Sequence, residues 1–376
     1  MQQIIKIIQT DKLILILLVI FLLLTNSYYG EDQINPSATS SYYYLNIADS
    51  FPAGMSMKDS SQTYIHGERF LISYFVGFVG RLMDISNFHI FKIFTYFTIL
   101  ILIILNYKII KIIIPQENKG LLYLSLFLLN PYIIRFSLSN PIMINDLVFI
   151  TSISLLFFSF LDKNNILFYT ALLLAIISRQ TSVLIVLALI VSLTLPYKNE
   201  FIDLKKVFFS FLLLIINYLI SQQYLEISNI DIFYESQFFG LINYFQNNFE
   251  FSKFFKFLFL PVLSFGPLFF IMIARKLKNE IFITINEKNI FFIILLILFV
   301  SQPILSGPLI AGKNIIRLAT FGYTTLIFLT CLSIKNLNNL SKKTSIIFMI
   351  IMIFWSLHPT FSKIKIFELF TKFLNY

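Results

Sequence analysis

The segment Phe88–Tyr107, FHIFKIFTYFTILILIILNY, has Lys92 as its one Lys, Arg, Asp or Glu in 20 residues. A stretch that long and apolar reads as a membrane-crossing helix, since about 20 apolar residues match the hydrocarbon thickness. Comparable runs recur along the chain, which is 57% hydrophobic and only 13% charged. A soluble domain carries about a quarter charged residues. The fold class that follows is all-α, a polytopic transmembrane helical bundle. The net charge of +10 does not point to nucleic acid, because most of the basic residues lie in short connectors between apolar runs. Cys331 is the single cysteine, so disulfides and cysteine zinc sites are excluded. His66, His89 and His358 are too far apart for metal-ligand spacing.

The expected spans number about eleven. The first is Lys12–Gly30, read as uncleaved because TNSYYG makes a poor signal-peptidase site. The others are Phe88–Tyr107, Gly120–Ile134, Asp146–Leu161, Asn165–Ser178, Thr181–Leu195, Val207–Ser221, Phe254–Ala274, Ile290–Leu305, Ile315–Ile334 and Thr344–Leu357. Phe70–Asp84 is short and ends near Arg81, so it is expected to lie in the membrane interface. With the N-terminus in the cytoplasm, the connectors NYKIIKIIIPQENKG, DKNN, PYKNEFIDLKK, ARKLKNEIFITINEK and KNLNNLSKK fall on the cytoplasmic side, and in none do acidic residues outnumber basic ones. The opposite loops are acidic: Leu225–Glu250 carries Glu226, Asp231, Glu235 and Glu250 without a Lys or Arg. This is the positive-inside bias of a multi-pass membrane protein; the expected location is a cell inner (cytoplasmic) membrane, with the endoplasmic reticulum of an AT-rich eukaryote as the alternative.

On this topology several charged groups share the outer face. Glu31 and Asp32 follow the first span; Asp49, Glu68 and Arg69 lie in the long loop 30–87. Arg135 and Asp146 flank the connection NPYIIRFSLSNPIMIND, with Asp146 suited to a helix start. Arg179 and Gln180 join a short helix pair in SRQTS, and Lys313 and Arg317 open the tenth span. Singly, such residues are capping or snorkelling charges. Arg179 and Arg317 sit in largely apolar settings, where each requires an anion.

The order of these groups resembles the GT-C superfamily of polytopic glycosyltransferases, of the mannosyltransferase and arabinosyltransferase type. The matching elements are Glu31/Asp32, GERF (67–70), KIIK (108–111), NPYIIRFSLSNPIMIND (130–146) and SRQTS (178–182), over about the first 200 residues. The resemblance implies one integral membrane domain over residues 1–376, with a core over 12–222 and further transmembrane helices over 223–376. It implies transfer of a sugar from a polyprenyl-phosphate carrier to an acceptor on the exoplasmic face. Asp32 is the first candidate for the general base and Glu31 the second. The aromatic element Tyr43 or Tyr44 with Ala48 lies farther from Asp32 than the family pattern has it, which keeps Asp49 as a third. Asp146 would position the acceptor or a metal. Arg69, Arg135, Arg179, Gln180 and Arg317 are the candidates for binding the carrier phosphate.

No cofactor motif is evident, and a divalent metal is the one addition that these carboxylates admit. The expected partners are membrane lipid and the lipid-linked donor. Two other classes compete. PVLSFGPL (261–268) and PILSGPL (303–309) are similar and fall in opposed helices, as in transporters or flippases built from inverted repeats. An envelope polysaccharide polymerase or ligase would also use lipid-linked sugars, although the late loop Leu225–Lys253 is acidic and aromatic where that class is Arg-bearing.

Overall fold

The computed structural model describes residues 16–22, 41–52, 69–114, 124–125, 127–196, 200–225, 240–277, 286–310, 315–333 and 350–357. Among these there is no strand. The main helices are α1 (Ser41–Asp49), α2 (Phe70–Met83), α3 (Asn87–Ile113), α4 (Ile144–Asp162), α5 (Asn165–Ser178), α6 (Val183–Thr194), α7 (Leu204–Leu225), α8 (Phe251–Leu277), α9 (Ile290–Leu305) and α10 (Ile315–Ser333).

Four helices among the described residues are long and apolar enough to cross a membrane: Asn87–Ile113, Pro141–Asp162, Leu204–Gln223 and Ile315–Leu332. The bent pair Phe251–Val262 and Ser264–Phe270 makes a fifth if it counts as one span. The described residues therefore give fewer full-length spans than the about eleven expected. The apolar helices α5, at 14 residues, and α9, at 16, fall short of a full crossing. The expected first span is described only over 16–22, and the last only over 350–357.

α4 and α10 form the centre. Phe149 stacks edge-on against Phe321 (4.9 Å) and Phe157 packs on Phe328 (4.3 Å), so residue numbers rise together and the two helices run parallel. On the other flank Phe149, Phe157 and Phe160 meet Phe299, Phe292 and Phe291 in turn, so α9 runs antiparallel to α4. Aromatic pairs of this kind add about 0.5–1.5 kcal/mol each beyond area burial. The parallel arrangement brings the N-terminal ends of α4 and α10 to the same side, which sets the site described below. By contrast α3 and α7 expose continuous apolar faces, including Ile93, Phe97, Leu100 and Ile104 on α3 and Phe208, Phe211, Ile215 and Leu219 on α7. Exposed apolar surface of this extent would drive a soluble monomer to aggregate, but suits lipid contact.

The connection into α4 is itself helical. Asn130–Asp146 is a chain of buried helical turns: a π turn over Pro131–Arg135, a turn over Phe136–Ser139 and a 3₁₀ turn over Pro141–Met143 that runs directly into α4. Each proline starts a turn, where its missing N–H costs nothing. Asn130 caps the first turn by accepting from the Tyr132 amide (2.9 Å). Its Nδ2 donates to the Ser264 carbonyl (3.1 Å). α8 breaks next to that carbonyl, where Gly266 takes φ +49° beside Trp355. The break and the two prolines of α8, Pro261 and Pro267, interrupt the helical hydrogen-bond ladder, and Asn130 supplies the partner for a carbonyl freed there.

α2 is a short apolar helix of 14 residues. One side packs on α1 and α3 through Phe70, Ser73, Val76, Gly77 and Gly80, while Phe75, Phe78 and Leu82 are exposed. Gly77 permits the α1 contact: a Cβ there would stand 2.2 Å from the Ala48 carbonyl oxygen and 2.9 Å from Phe51 Cβ. At Gly80 the nearest obstacle is the Asn87 side chain instead, 2.1 Å away. Gly77→Ala is therefore expected to destabilise the protein by about 1–3 kcal/mol, as overpacking does. Gly80→Ala should cost less, because Asn87 can rotate away and a backbone carbonyl cannot. Unfolding midpoints of the two variants in one detergent check this order.

Candidate functional site

Asp146 occupies the first turn of α4 and is only 3% exposed. A buried carboxylate demands compensation, and here it comes from elements distant in sequence. Arg179 sits between α5 and the 3₁₀ turn Gln180–Ser182, and its Nη1 donates to Asp146 Oδ1 within an ion pair. Arg317, in the first turn of α10, holds its Nε 3.4 Å from Asp146 Oδ2. Arg69, immediately before α2, acts on the same carboxylate as a third positive charge. One carboxylate thus pairs with two guanidiniums and lies within the field of a third.

Local structure explains each placement. The extended backbone at Arg179 (φ −155°, ψ 141°) ends α5 and turns the side chain toward α4. Its guanidinium lies 4.6 Å from the Phe321 ring, one helical turn after Arg317 on α10. Arg317 in turn lies 5.8 Å from the Phe136 ring. Such faces stabilise a desolvated cation by about 2 kcal/mol or less each. Arg69 is held separately: Nε (2.8 Å) and Nη2 (2.5 Å) donate to Gln180 Oε1, and Nη1 donates to the Tyr44 hydroxyl (3.2 Å). Asn145 Nδ2 donates to the Arg69 carbonyl (3.4 Å), so α4 grips Arg69 by its backbone as well.

The cluster retains unused hydrogen-bonding capacity. Arg179 Nε, Arg317 Nε and Asp146 Oδ2 are buried and lack a hydrogen-bond partner among the described residues. Arg179 is 3% exposed, and the Arg317 side chain, at 20%, is the more open of the two toward the surroundings. Two guanidinium N–H groups thus lack a hydrogen-bond acceptor among the described residues, in a group whose formal charge is positive.

The sequence-derived candidates divide as follows. Asp146, Arg69, Arg179, Gln180 and Arg317 come together. Arg135 is equally buried, but its Nη2 donates to Ser356 Oγ (3.2 Å) on the last described helix, so the outer connection does not pair Arg135 with Asp146. Asp49 is exposed at the end of α1 and accepts from Asn87 Nδ2 (2.7 Å). Glu31, Asp32, Glu68 and Lys313 lie outside the described residues. The structure adds Tyr44 as a partner of Arg69, together with Asn145, Phe136 and Phe321. The spacing Arg317–Phe321 is a helical i, i+4 signal for one of these, and Tyr44 lies in the aromatic element noted beside Ala48; the sequence carried no comparable signal for Asn145 or Phe136 as site residues.

Removal of Arg179 leaves a buried carboxylate short of its only hydrogen-bonded partner among the described residues. Arg179→Ala is expected to cost about 3–5 kcal/mol of stability. Arg179→Lys should recover part of this, since it keeps the charge but loses the planar fork and the stacking on Phe321. Denaturant or thermal unfolding of the purified protein in detergent gives both values, and a cost under 1 kcal/mol for Arg179→Ala would mean that Asp146 is stabilised otherwise.

Comparison with protein-family models, with curated proteins and with solved structures finds no match to this chain, so its function is read from the site itself.

Proposed function

We propose that the protein is a membrane glycosyltransferase that moves a sugar from a polyprenyl-phosphate carrier to an acceptor hydroxyl at the exoplasmic side of a cytoplasmic membrane. The observation that carries this reading is the buried cluster of Arg69, Arg179 and Arg317 around Asp146, with arginine N–H groups left to donate. Arginine binds phosphate through its planar fork. The apolar helices that surround the cluster suit a prenyl chain. The order of motifs shared with the GT-C superfamily supplies the sugar chemistry.

In this reaction the acceptor oxygen attacks the anomeric carbon, the bond from that carbon to the phosphate oxygen breaks, and the acceptor proton passes to a carboxylate. The phosphate departs as an anion and needs no proton. Its growing charge is stabilised by the arginines, which are already oriented in a water-poor setting. Asp146, bonded by Arg179 and flanked by Arg317, is a positioning residue that holds the guanidiniums. A carboxylate surrounded by three cations does not suit a metal ion, so no step passes through a metal there. The base is assigned to Asp32, with Glu31 and then Asp49 as the alternatives.

A transporter of an anionic lipid is the second reading. It draws on the 71° bend between Phe251–Val262 and Ser264–Phe270, since broken helices frame many transport sites.

The test is sugar incorporation from labelled donor in membranes bearing the full chain. Combined Glu31→Gln and Asp32→Asn are expected to lower the rate by about 100-fold or more, the usual worth of a general base. Full donor-dependent activity in that double variant moves the base to Asp49. Absence of any incorporation by the wild type, together with carrier movement between leaflets, selects the transporter.

A further inference from the structure

The charge of the cluster distinguishes two forms of the same lipid. Arg69, Arg179 and Arg317 contribute three positive charges and Asp146 one negative, a formal total of +2. A sugar-linked carrier is a phosphodiester and bears one negative charge. The carrier that leaves after transfer is a phosphate monoester with a second pKa near 6, so it bears close to two charges at neutral pH. It also presents three terminal oxygens where the diester presents two.

We propose that the cluster is matched to the departing monoester dianion, not to the arriving diester, and therefore binds the free carrier phosphate more tightly than the sugar-linked carrier. This rests on the reading of the cluster as the carrier-phosphate site and goes beyond it by fixing which charge state the site prefers. The geometry supports it apart from the charge count. Arg179 Nε is a donor without a hydrogen-bond partner among the described residues, on a side chain only 3% exposed. Arg317 Nε is a second unpartnered donor, and lies against Asp146 at 3.4 Å without a hydrogen bond, so it can turn to an incoming oxygen. Gln180 and Tyr44 meanwhile fix the Arg69 guanidinium from two other elements.

The balance of the step gives the preference a function. As the anomeric C–O bond breaks, its electron pair stays on the phosphate oxygen and the phosphate charge moves from −1 toward −2, while the acceptor proton goes to the carboxylate base. A site that favours the final charge stabilises the transition state more than the bound donor. The same preference makes the free carrier an inhibitor that must be cleared. A second reaction class, which re-esterifies, dephosphorylates or removes the prenyl monophosphate, is needed to keep the enzyme turning over.

The experiment is equilibrium binding to the purified full chain in detergent, by calorimetry, of farnesyl phosphate and of its methyl diester between about pH 5 and pH 8. The groups facing the ligand are Tyr44 from α1, Arg69 before α2, Asp146 from α4, Arg179 and Gln180 between α5 and α6, and Arg317 from α10. The diester keeps one charge throughout this range and so registers any titration of these groups.

The monoester is expected to bind about tenfold or more tightly than the diester at pH 8, because an added charge near two guanidiniums is strongly favoured. That ratio should fall toward one as the pH drops below the monoester's second pKa near 6. Arg317→Gln should compress the ratio at pH 8, and Asp146→Asn, if it folds, should enlarge it. Equal affinities at every pH, both lost in Arg317→Gln, overturn the charge-matching inference and leave the carrier-phosphate site standing. Failure of both lipids to bind overturns the site assignment and with it the proposed function.

Discussion

The interior of this protein is organised around one carboxylate. Asp146 is buried at the start of α4, and its compensation recruits a residue from before α2, one from the α5–α6 junction and one from α10. A lone buried charge is too costly to keep, so those elements must converge wherever Asp146 goes. The favourable N-terminal end of α4 contributes as well, since a first-turn carboxylate complements the helix dipole. The three cations repel one another, and Asp146 is the group that lets them share a volume.

Apolar packing delivers these charges without being specified by them. The phenylalanine ladder of α4 against α9 and α10 sets two helices parallel and one antiparallel, and its register puts Arg317 opposite Asp146. Phe321 belongs to both systems: it packs on Phe149 and its face receives Arg179. Asn130 has a related double role, capping the turn at Pro131 and completing the broken backbone of α8. The charged groups of this cluster therefore sit where helices start or stop, Asp146 and Arg317 in first turns and Arg69 and Arg179 beside helix ends.

That division explains how much could be read from the sequence. Apolar runs made the helical class and the bounds of α5 and α9 plain, because hydrophobic length is a local property. Arg179 and Arg317 announced themselves as cations in apolar surroundings that need an anion. Their shared partner was not legible: Asp146 is 33 residues from Arg179, and Arg69 meets Gln180 across 111 residues. The segment from Arg135 to Asp146 was legible only as a short connection between spans, and it coils into π and 3₁₀ turns, with Arg135 donating to Ser356. The break at Gly266 was written only as Pro and Gly in an apolar run, a composition that straight and kinked membrane helices share.

A site with more cations than anions is a poor way to stabilise a fold, and that is an argument about its purpose. Replacing buried ionic groups with apolar ones of similar size is often neutral or stabilising. A structural ion pair would need one arginine for Asp146, and here two pair with it while a third acts on it electrostatically. Gln180 and Tyr44 are spent on holding Arg69 in place, while Arg179 Nε and Arg317 Nε have no hydrogen-bond acceptor among the described residues. Stability alone gives no reason for donors that are oriented, desolvated and unused. An anion that arrives, is held and departs does give one, and the surplus positive charge is then the part of the site that acts on the ligand.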